Sequence, residues 1–134
     1  MKVRISSLLL DQIMSLAVNS PHEICGLLLG EAGCIREILP AANVAPDPAR
    51  HFEVDPMTLI TAHRAARKGE GGAIIGSYHS HPGGNPEPSA ADAASAAADG
   101  SLWLIVGRGT ARLWIAGPGQ GGSVRFTPAA LDMM

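Results

Sequence analysis

Short apolar runs alternate with longer amphipathic segments along the chain, a pattern that predicts both strands and helices. The apolar runs contain mostly Ile, Leu and Val and are bounded by turn residues, as is typical of strands. They cover residues 2–5, 24–29, 35–39, 73–81, 102–106 and 112–115, and a weaker run at 123–126 allows one more. The turn sequence Gly30-Glu31-Ala32-Gly33 separates two of them, so residues 24–39 predict an antiparallel hairpin.

Three segments carry the signals that begin helices. The first follows a capping serine, Ser6 or Ser7, and extends to about residue 19. The second begins at Asp55, an N-cap residue followed by proline, and continues through Arg67. The third begins at Ser89, is rich in alanine and ends near residue 100. The expected buried face of the first helix consists of Leu9, Ile13, Leu16 and Ala17.

Length and composition favour a single globular domain over residues 1–134. A chain of 134 residues that is 46% hydrophobic can build one core. Only 4% of the residues are aromatic, so the core must be built mainly from aliphatic side chains and methionine. The grouping of strand runs around helices predicts an α+β or three-layer arrangement on a mixed sheet.

Charge and hydropathy argue against two classes of partner. The chain has 10 Lys and Arg residues against 12 Asp and Glu, and no basic run supplies the footprint that nucleic acid or an anionic membrane requires. No apolar stretch reaches the roughly 18–20 residues of a membrane-spanning helix. The first ten residues imitate a signal peptide, but Asp11 and Gln12 interrupt the apolar stretch, which argues against secretion.

The two cysteines, Cys25 and Cys34, lie on opposite sides of the predicted hairpin turn. In that register Cys25 faces a residue near Leu39, on the order of 16 Å from Cys34, which is beyond disulfide reach. We therefore expect two buried free thiols and a cytoplasmic location. A cysteine nucleophile would need a base aimed at its thiol, so the favoured interpretation of Cys25 is a small buried strand residue.

The densest chemical signal is Tyr78-His79-Ser80-His81-Pro82, followed after a loop by Ser89-Ala90-Ala91-Asp92. His79 and His81 lie two residues apart in a predicted strand, so both imidazoles face the same side and can share one metal ion. Asp92 falls in the first turn of the next helix, which the loop can fold back over the end of the strand. Two imidazoles and one carboxylate suit zinc, and three protein ligands leave the fourth position of a catalytic site open.

Each part of this pattern also has a purely structural interpretation. Isolated histidines are most often surface residues or hydrogen-bonded core residues, and we place His22, His51 and His63 in that class. On their own, Ser89 and Asp92 would form a capping box at the start of a helix. Beside the two histidines the same residues can serve both purposes, with Ser89 capping the helix and Asp92 turned towards the metal.

Together these residues resemble the JAMM, or MPN-plus, family of zinc metalloproteases. The family motif is an upstream glutamate, then His-Ser/Thr-His, seven residues that begin with proline, and Ser-x-x-Asp; residues 82–88 supply the seven here. The similarity extends to residues 21–30, which look like the family's first hairpin, and to residues 52–56, which resemble the start of its following helix. It covers most of the chain, from about residue 5 to residue 115.

The resemblance implies a three-layer α/β/α-like fold around a mixed, mostly antiparallel sheet, similar to that of the cytidine deaminases. It also implies a catalytic zinc ion held by His79, His81 and Asp92. In this family the upstream glutamate, here Glu23, is the general base that holds the metal-bound water, and Ser89 would hydrogen-bond the oxyanion of the tetrahedral intermediate. The alternative for Glu23 is a solvated acid at the edge of a strand.

The resemblance implies a substrate class as well. Family members commonly cleave at the C-terminus of ubiquitin or a ubiquitin-like protein, and small prokaryotic members trim the tail of a ubiquitin-like sulfur-carrier protein. We therefore expect a zinc-dependent metallopeptidase that hydrolyses a peptide or isopeptide bond at such a tail. Two alternatives stay open: a non-catalytic MPN-type interaction scaffold, which would usually have lost metal ligands, and a zinc peptidase acting on small or cell-wall peptides.

Overall fold

A computed structural model describes all 134 residues, and its elements follow the order that the hydrophobic pattern predicts. Seven strands, three α-helices and one short 3-10 helix make up the chain. In order they are β1 (Lys2–Ile5), α1 (Ser7–Ala17), β2 (Cys25–Glu31), β3 (Cys34–Ala41), α2 (Pro56–Arg67), β4 (Ala73–Ser80), α3 (Ala90–Ser95), β5 (Leu102–Gly107), β6 (Thr110–Pro118), the 3-10 helix (Gln120–Gly122) and β7 (Val124–Met133). No helix among them is both long and apolar enough to cross a membrane.

The seven strands form one mixed sheet that closes on itself in the order β1-β3-β2-β4-β5-β6-β7. Strand β1 completes the closure because it pairs with both β3 and β7, and it runs parallel to each of them. A third parallel pair joins β4 to β5, and the other four pairings are antiparallel. The α+β class and the mixed sheet are therefore confirmed. The structure has a closed barrel in place of the expected three-layer arrangement, because the first strand joins the two ends of the sheet.

Alternate residues of the central strands supply apolar side chains to two sides of the sheet. On β4 and β5, Tyr78 and Leu104 belong to the main core, which helix α1 completes with Ile13. On the opposite side, Ala62 of α2 packs against Leu27, and Trp103 of β5 begins a separate aromatic cluster. The period of two along each strand explains this division. It also decides which side of β4 receives the two histidines.

Two helix predictions need correction. Leu16 is 43% exposed, and the face of α1 that packs against the core consists of Leu9, Leu10, Ile13, Met14 and Ala17. Helix α3 ends at Ser95, earlier than the alanine-rich sequence predicts. Ala96 adopts an extended conformation, with φ −75° and ψ 148°, and packs against the aromatic cluster. The helix therefore ends at a partly buried alanine, at a point where propensity alone would continue it.

The strand at the C-terminus is longer than the pattern predicts. The weak run at 123–126 is the beginning of β7, which continues to Met133 and pairs with both β6 and β1. Both cysteines are free and buried, as expected. The register of the hairpin differs slightly from the predicted one, in which Cys25 faces a residue near Leu39. Cys25 pairs with Ala41, and an irregularity at Leu29/Gly30 shifts the rest of the hairpin.

We expect Gly76→Ala to lower the free energy of unfolding by about 1–3 kcal/mol, because overpacking forces backbone shifts. Gly76 lies opposite Leu102 in the β4–β5 pair, and a methyl group there would overlap the Leu102 carbonyl oxygen. Urea denaturation measures the change. Gly71→Ala is the matched control, since its methyl group would make only an ordinary contact with Ala65. An equal loss of stability in both variants would contradict this prediction.

Candidate metal centre

The C-terminal end of β4 places two imidazoles on one side of the sheet. His79 is fully buried and is the one histidine within β4; it pairs with Cys25 of β2 on one side and with Ile105 of β5 on the other. His81 follows directly after β4, and its backbone N–H donates to the carbonyl oxygen of Val106 at 2.8 Å. Their Nε2 atoms lie 3.1 Å apart. The spacing of two residues therefore brings the imidazoles together as the sequence predicts.

Asp92 reaches the same point from the start of helix α3. A capping box holds it there: the Ser89 backbone N–H donates to Asp92 Oδ2 at 2.9 Å, and the Asp92 N–H donates to Ser89 Oγ at 3.0 Å. The same Oδ2 lies 3.2 Å from His79 Nε2 and 3.1 Å from His81 Nε2. Both interpretations of Ser89 and Asp92 thus describe one arrangement, in which capping aims the carboxylate at the histidines.

The loop between β4 and α3 fixes the second nitrogen of His81. The Nδ1 atom of His81 is 2.8 Å from the Asn85 carbonyl oxygen, which can only accept a hydrogen bond. Nδ1 therefore carries the proton in the neutral ring, and the lone pair of Nε2 is available to a metal. The loop is itself held, because Trp114 Nε1 donates to the Pro86 carbonyl oxygen at 3.0 Å.

Glu23 lies beside the histidines just before β2, and its side chain is buried. Backbone hydrogen bonds hold the segment in place: the Glu23 N–H donates to the Pro48 carbonyl oxygen at 2.8 Å, and Ile24 N–H donates to Ser80 Oγ at 2.9 Å. Asn43 Nδ2 donates to the Glu23 carbonyl oxygen at 2.9 Å. One oxygen of the carboxylate, Oε1, meets no hydrogen-bond partner in the protein. Burial contradicts the alternative of a solvated acid at a strand edge.

Burial and neighbouring charge set the ionisation of these groups. Burial raises the pKa of Glu23 to about 7; the nearby His81 charge acts against this shift, and the Asp92 charge adds to it. For Asp92, burial would raise the pKa, but hydrogen bonds from His79 and His81 outweigh it and hold the pKa well below its usual range. Burial lowers the pKa of His79 despite the opposing effect of Asp92. Burial would lower the pKa of His81 as well, but hydrogen bonds to Asp92 and the Asn85 carbonyl oxygen outweigh it and raise that pKa. These directions leave Asp92 ionised and His79 neutral, the states that bind a cation, whereas a doubly protonated His81 must release one proton when a cation binds.

The geometry of the donor atoms fits a tetrahedral metal ion. His79 Nε2, His81 Nε2 and Asp92 Oδ2 form a triangle with sides of 3.1, 3.2 and 3.1 Å. Ligands about 2.0–2.1 Å from a tetrahedral zinc ion are about 3.3 Å from one another, so these atoms need move little to share one ion. Ligand atoms of Glu23, His79 and His81 also lie within 4.8 Å of one another. The carboxylate of Glu23 is thus close enough to act on a molecule bound at the same centre.

Sequence reasoning missed two residues that shape this site. The Phe52 ring stacks on the His79 ring, and the Asn43 side chain makes five hydrogen bonds that hold the segment between β3 and α2. The segment has no regular secondary structure apart from one bridge between Asn43 and Val54, so no periodicity could reveal these roles. The three histidines assigned to the surface, His22, His51 and His63, are exposed.

Comparison with known families agrees with this geometry. Residues 6–117 match the family model Prok-JAB, described as prokaryotic homologs of the JAB domain. This chain belongs to the Prok-JAB family. The resemblance to a small prokaryotic JAMM-like protein is therefore confirmed, and the matched residues extend from α1 through most of β6. The fold of this Prok-JAB chain is similar to the solution structure of a protein from Desulfitobacterium hafniense, with a TM-score of 0.77. The two sequences are 24% identical, and the match covers 100% of this chain and 94% of that one.

Three relatives of this Prok-JAB chain have names that describe an activity. The desampylase of Haloferax volcanii is 37% identical over 103 residues, which cover 73% of each protein. The desampylase of Pyrococcus furiosus is 30% identical over 79% of this chain and 75% of its own length. The probable TtuB-protein conjugate cleaving protease of Thermus thermophilus is 35% identical over 55% of this chain and 49% of its own length.

Proposed function

We propose that this Prok-JAB protein is a zinc metallopeptidase that hydrolyses a peptide or isopeptide bond at the C-terminal tail of a ubiquitin-like, sulfur-carrier-type protein. The observation that carries the proposal is the convergence of His79, His81 and Asp92 beside the buried carboxylate of Glu23. The names of the relatives support the reaction, since one is called a protein-conjugate cleaving protease and two are called desampylases. Residues 1–134 would then act as one catalytic domain.

In this proposal His79, His81 and Asp92 hold the metal. A bound zinc ion supplies Lewis acidity, which polarises a carbonyl group and makes water acidic near neutral pH. His79 comes from β4, His81 follows that strand directly, and Asp92 of α3 bonds both histidines. Three protein ligands leave a fourth position for substrate or solvent, as catalytic zinc sites require.

Glu23 is the proposed general base. Its carboxylate takes a proton from the attacking water molecule and later delivers it to the nitrogen of the departing amine, so that one proton crosses from nucleophile to leaving group. Oε1 is suited to this role because it has no hydrogen bond to any other protein atom. A pKa raised to about 7 by burial also suits a group that must both accept and release a proton near neutral pH.

Ser89 is the proposed donor to the carbonyl oxygen as negative charge develops on it. Its Oγ accepts a hydrogen bond from the Asp92 N–H, which leaves the hydroxyl hydrogen free to donate elsewhere. Ser89 also lines an open cleft of about 450 Å³ together with Glu23 and His81. A donor placed in advance at this position typically lowers the barrier by a few kcal/mol.

The same cleft supports an extended substrate. The exposed residues Arg50, Asn85 and Glu87 are among those that line it, so the cleft is continuous with the protein surface. A flexible tail could enter it while the folded part of the carrier stays outside. The intact set of ligands argues against a non-catalytic scaffold. The two free buried cysteines support a location in the reducing cytoplasm.

Intact-mass spectrometry of a ubiquitin-like sulfur-carrier protein with a short extension after its Gly-Gly end tests the proposed function. We expect loss of the extension with the wild-type protein and no loss after zinc is removed by a chelator, with recovery when zinc is restored. A short peptide of the same tail sequence, without the folded carrier, is the control for a small-peptide peptidase. Full activity in the presence of chelator would contradict the proposal, and equal cleavage of the short peptide would favour the alternative substrate class.

A further inference from the structure

The two histidines of the centre are held in different ways. His81 has its Nδ1 bonded to the Asn85 carbonyl oxygen at 2.8 Å, whereas His79 Nδ1 is buried and meets no hydrogen-bond partner in the protein. Metal-binding imidazoles almost always use the second nitrogen in a hydrogen bond, which fixes the orientation of the ring. The orientation of His79 must therefore come from packing.

Phe52 supplies that packing on the face of the ring. Its ring centroid is 4.1 Å from that of His79, and the two planes are inclined by only 17°. Trp103 and His79 form a second, edge-to-face pair, with centroids 5.7 Å apart and planes at 88°. Phe52 and Trp103 also contact each other edge to face at 5.7 Å. Two aromatic rings that also contact each other thus pack against the imidazole and restrict its rotation.

Phe52 is held firmly although it lies outside any helix or strand. The residues on both sides of it are bonded to one side chain: Asn43 Oδ1 accepts from the Glu53 N–H at 3.1 Å, and Asn43 Nδ2 donates to the His51 carbonyl oxygen at 2.9 Å. The Val44 N–H donates to the Glu53 carbonyl oxygen at 3.0 Å. These bonds fix the backbone that carries the phenyl ring, so the ring can hold its position against His79.

We propose that Phe52 is a positioning residue that orients the His79 imidazole for metal binding in place of the missing hydrogen bond at Nδ1. The proposal rests on the proposed function in one respect, that His79 is a metal ligand. Phe52 contacts no reacting atom; it acts through the orientation of His79. Its removal should therefore weaken metal binding and change the ligand geometry, while leaving the fold in place.

The test compares zinc affinity and cobalt spectra of the full-length wild-type protein and Phe52→Leu. Leucine keeps an apolar side chain and removes the flat ring. Competition with a chromogenic chelator should give a zinc dissociation constant raised about 10–100-fold, the range seen when a partner of a metal ligand is lost. The visible absorption of the Co²⁺-substituted protein should shift, because the orientation of one imidazole has changed. Phe52→Tyr keeps the ring face and should restore both properties.

Phe126→Leu is the matched control for the packing of the aromatic cluster. Phe126 packs edge to face on Trp103 with centroids 5.2 Å apart, and it has no ring contact with His79. Its variant should bind zinc as tightly as the wild type. If Phe52→Leu fails to fold, as judged by thermal unfolding, Phe52→Met replaces it, since methionine adapts to irregular gaps.

The outcomes separate this proposal from the proposed function. A wild-type protein that binds no zinc overturns the metal site, and this proposal with it. A wild type that binds zinc, together with a folded Phe52→Leu or Phe52→Met that binds it equally well, overturns the role of Phe52 alone. Equal losses in the Phe52 and Phe126 variants also overturn that role, because they would reflect the cluster as a whole.

Discussion

Glu23→Gln is expected to lower kcat for tail cleavage by about 10²–10⁴-fold, the usual contribution of a general base. Glutamine has nearly the same shape but accepts no proton at neutral pH, so the attacking water would lose its base. The backbone bonds that hold the segment, from Pro48, Asn43 and Ser80, do not involve the side chain and should survive. The measurement is initial rate by intact mass, with zinc content determined on the same sample.

Glu53→Gln makes the same chemical change at an exposed carboxylate and is the control for the Glu23 variant. It should retain the wild-type rate. The assignment of the base would be wrong if Glu23→Gln, with a full complement of zinc, cleaved the tail as fast as the wild type. A slow Glu23→Gln protein that had also lost its zinc would contradict the assignment too, because it would make Glu23 a ligand.

Asp92→Asn is expected to weaken zinc binding by about 100-fold or more, since loss of a direct ligand should cost at least as much as loss of an outer partner. The amide oxygen of asparagine can still accept from the Ser89 N–H, so the capping box of α3 is retained. The negative charge that faces both imidazoles is removed. Competition with a chromogenic chelator measures the affinity, and peptidase activity should fall in parallel at limiting zinc.

Asp99→Asn provides the comparison for the Asp92 variant. Asp99 also uses one carboxylate oxygen to accept from a backbone N–H, that of Ser101 at 3.0 Å, but it is exposed and forms no bond to a histidine. Its variant should keep the zinc affinity of the wild type. If Asp92→Asn bound zinc as tightly as Asp99→Asn, the ligand set would have to be revised.

Local patterns predicted the centre better than they predicted the sheet that supports it. The period of two in a strand is enough to place His79 and His81 together, and the capping sequence is enough to place Asp92 in the first turn of α3. The closure of the barrel, in contrast, depends on β1 meeting β7 near the other end of the chain. A four-residue strand carries no signal for a partner that begins more than 100 residues later.

The packing of single residues was equally hard to predict from the sequence. Helix α3 stops where the partly buried Ala96 packs against the aromatic cluster, and nothing in the sequence distinguishes this alanine from its neighbours. Phe52 lies in an irregular segment, so its contact with His79 follows from the hydrogen bonds of Asn43 and not from any periodicity. The motif sequence therefore predicts which groups meet, and tertiary structure decides how firmly each is held.

The wide separation of these groups along the chain links metal binding to folding. Glu23, the two histidines at the end of β4 and Asp92 come from three segments, and the Ile24 N–H donates to Ser80 Oγ across 56 positions. An unfolded chain keeps only His79 and His81 close together, so it should bind zinc far more weakly than the native state. Zinc at 100 times its dissociation constant would then stabilise the native state by about 2.7 kcal/mol. The metal content of a sample would thus set its thermal midpoint as strongly as a substitution in the core.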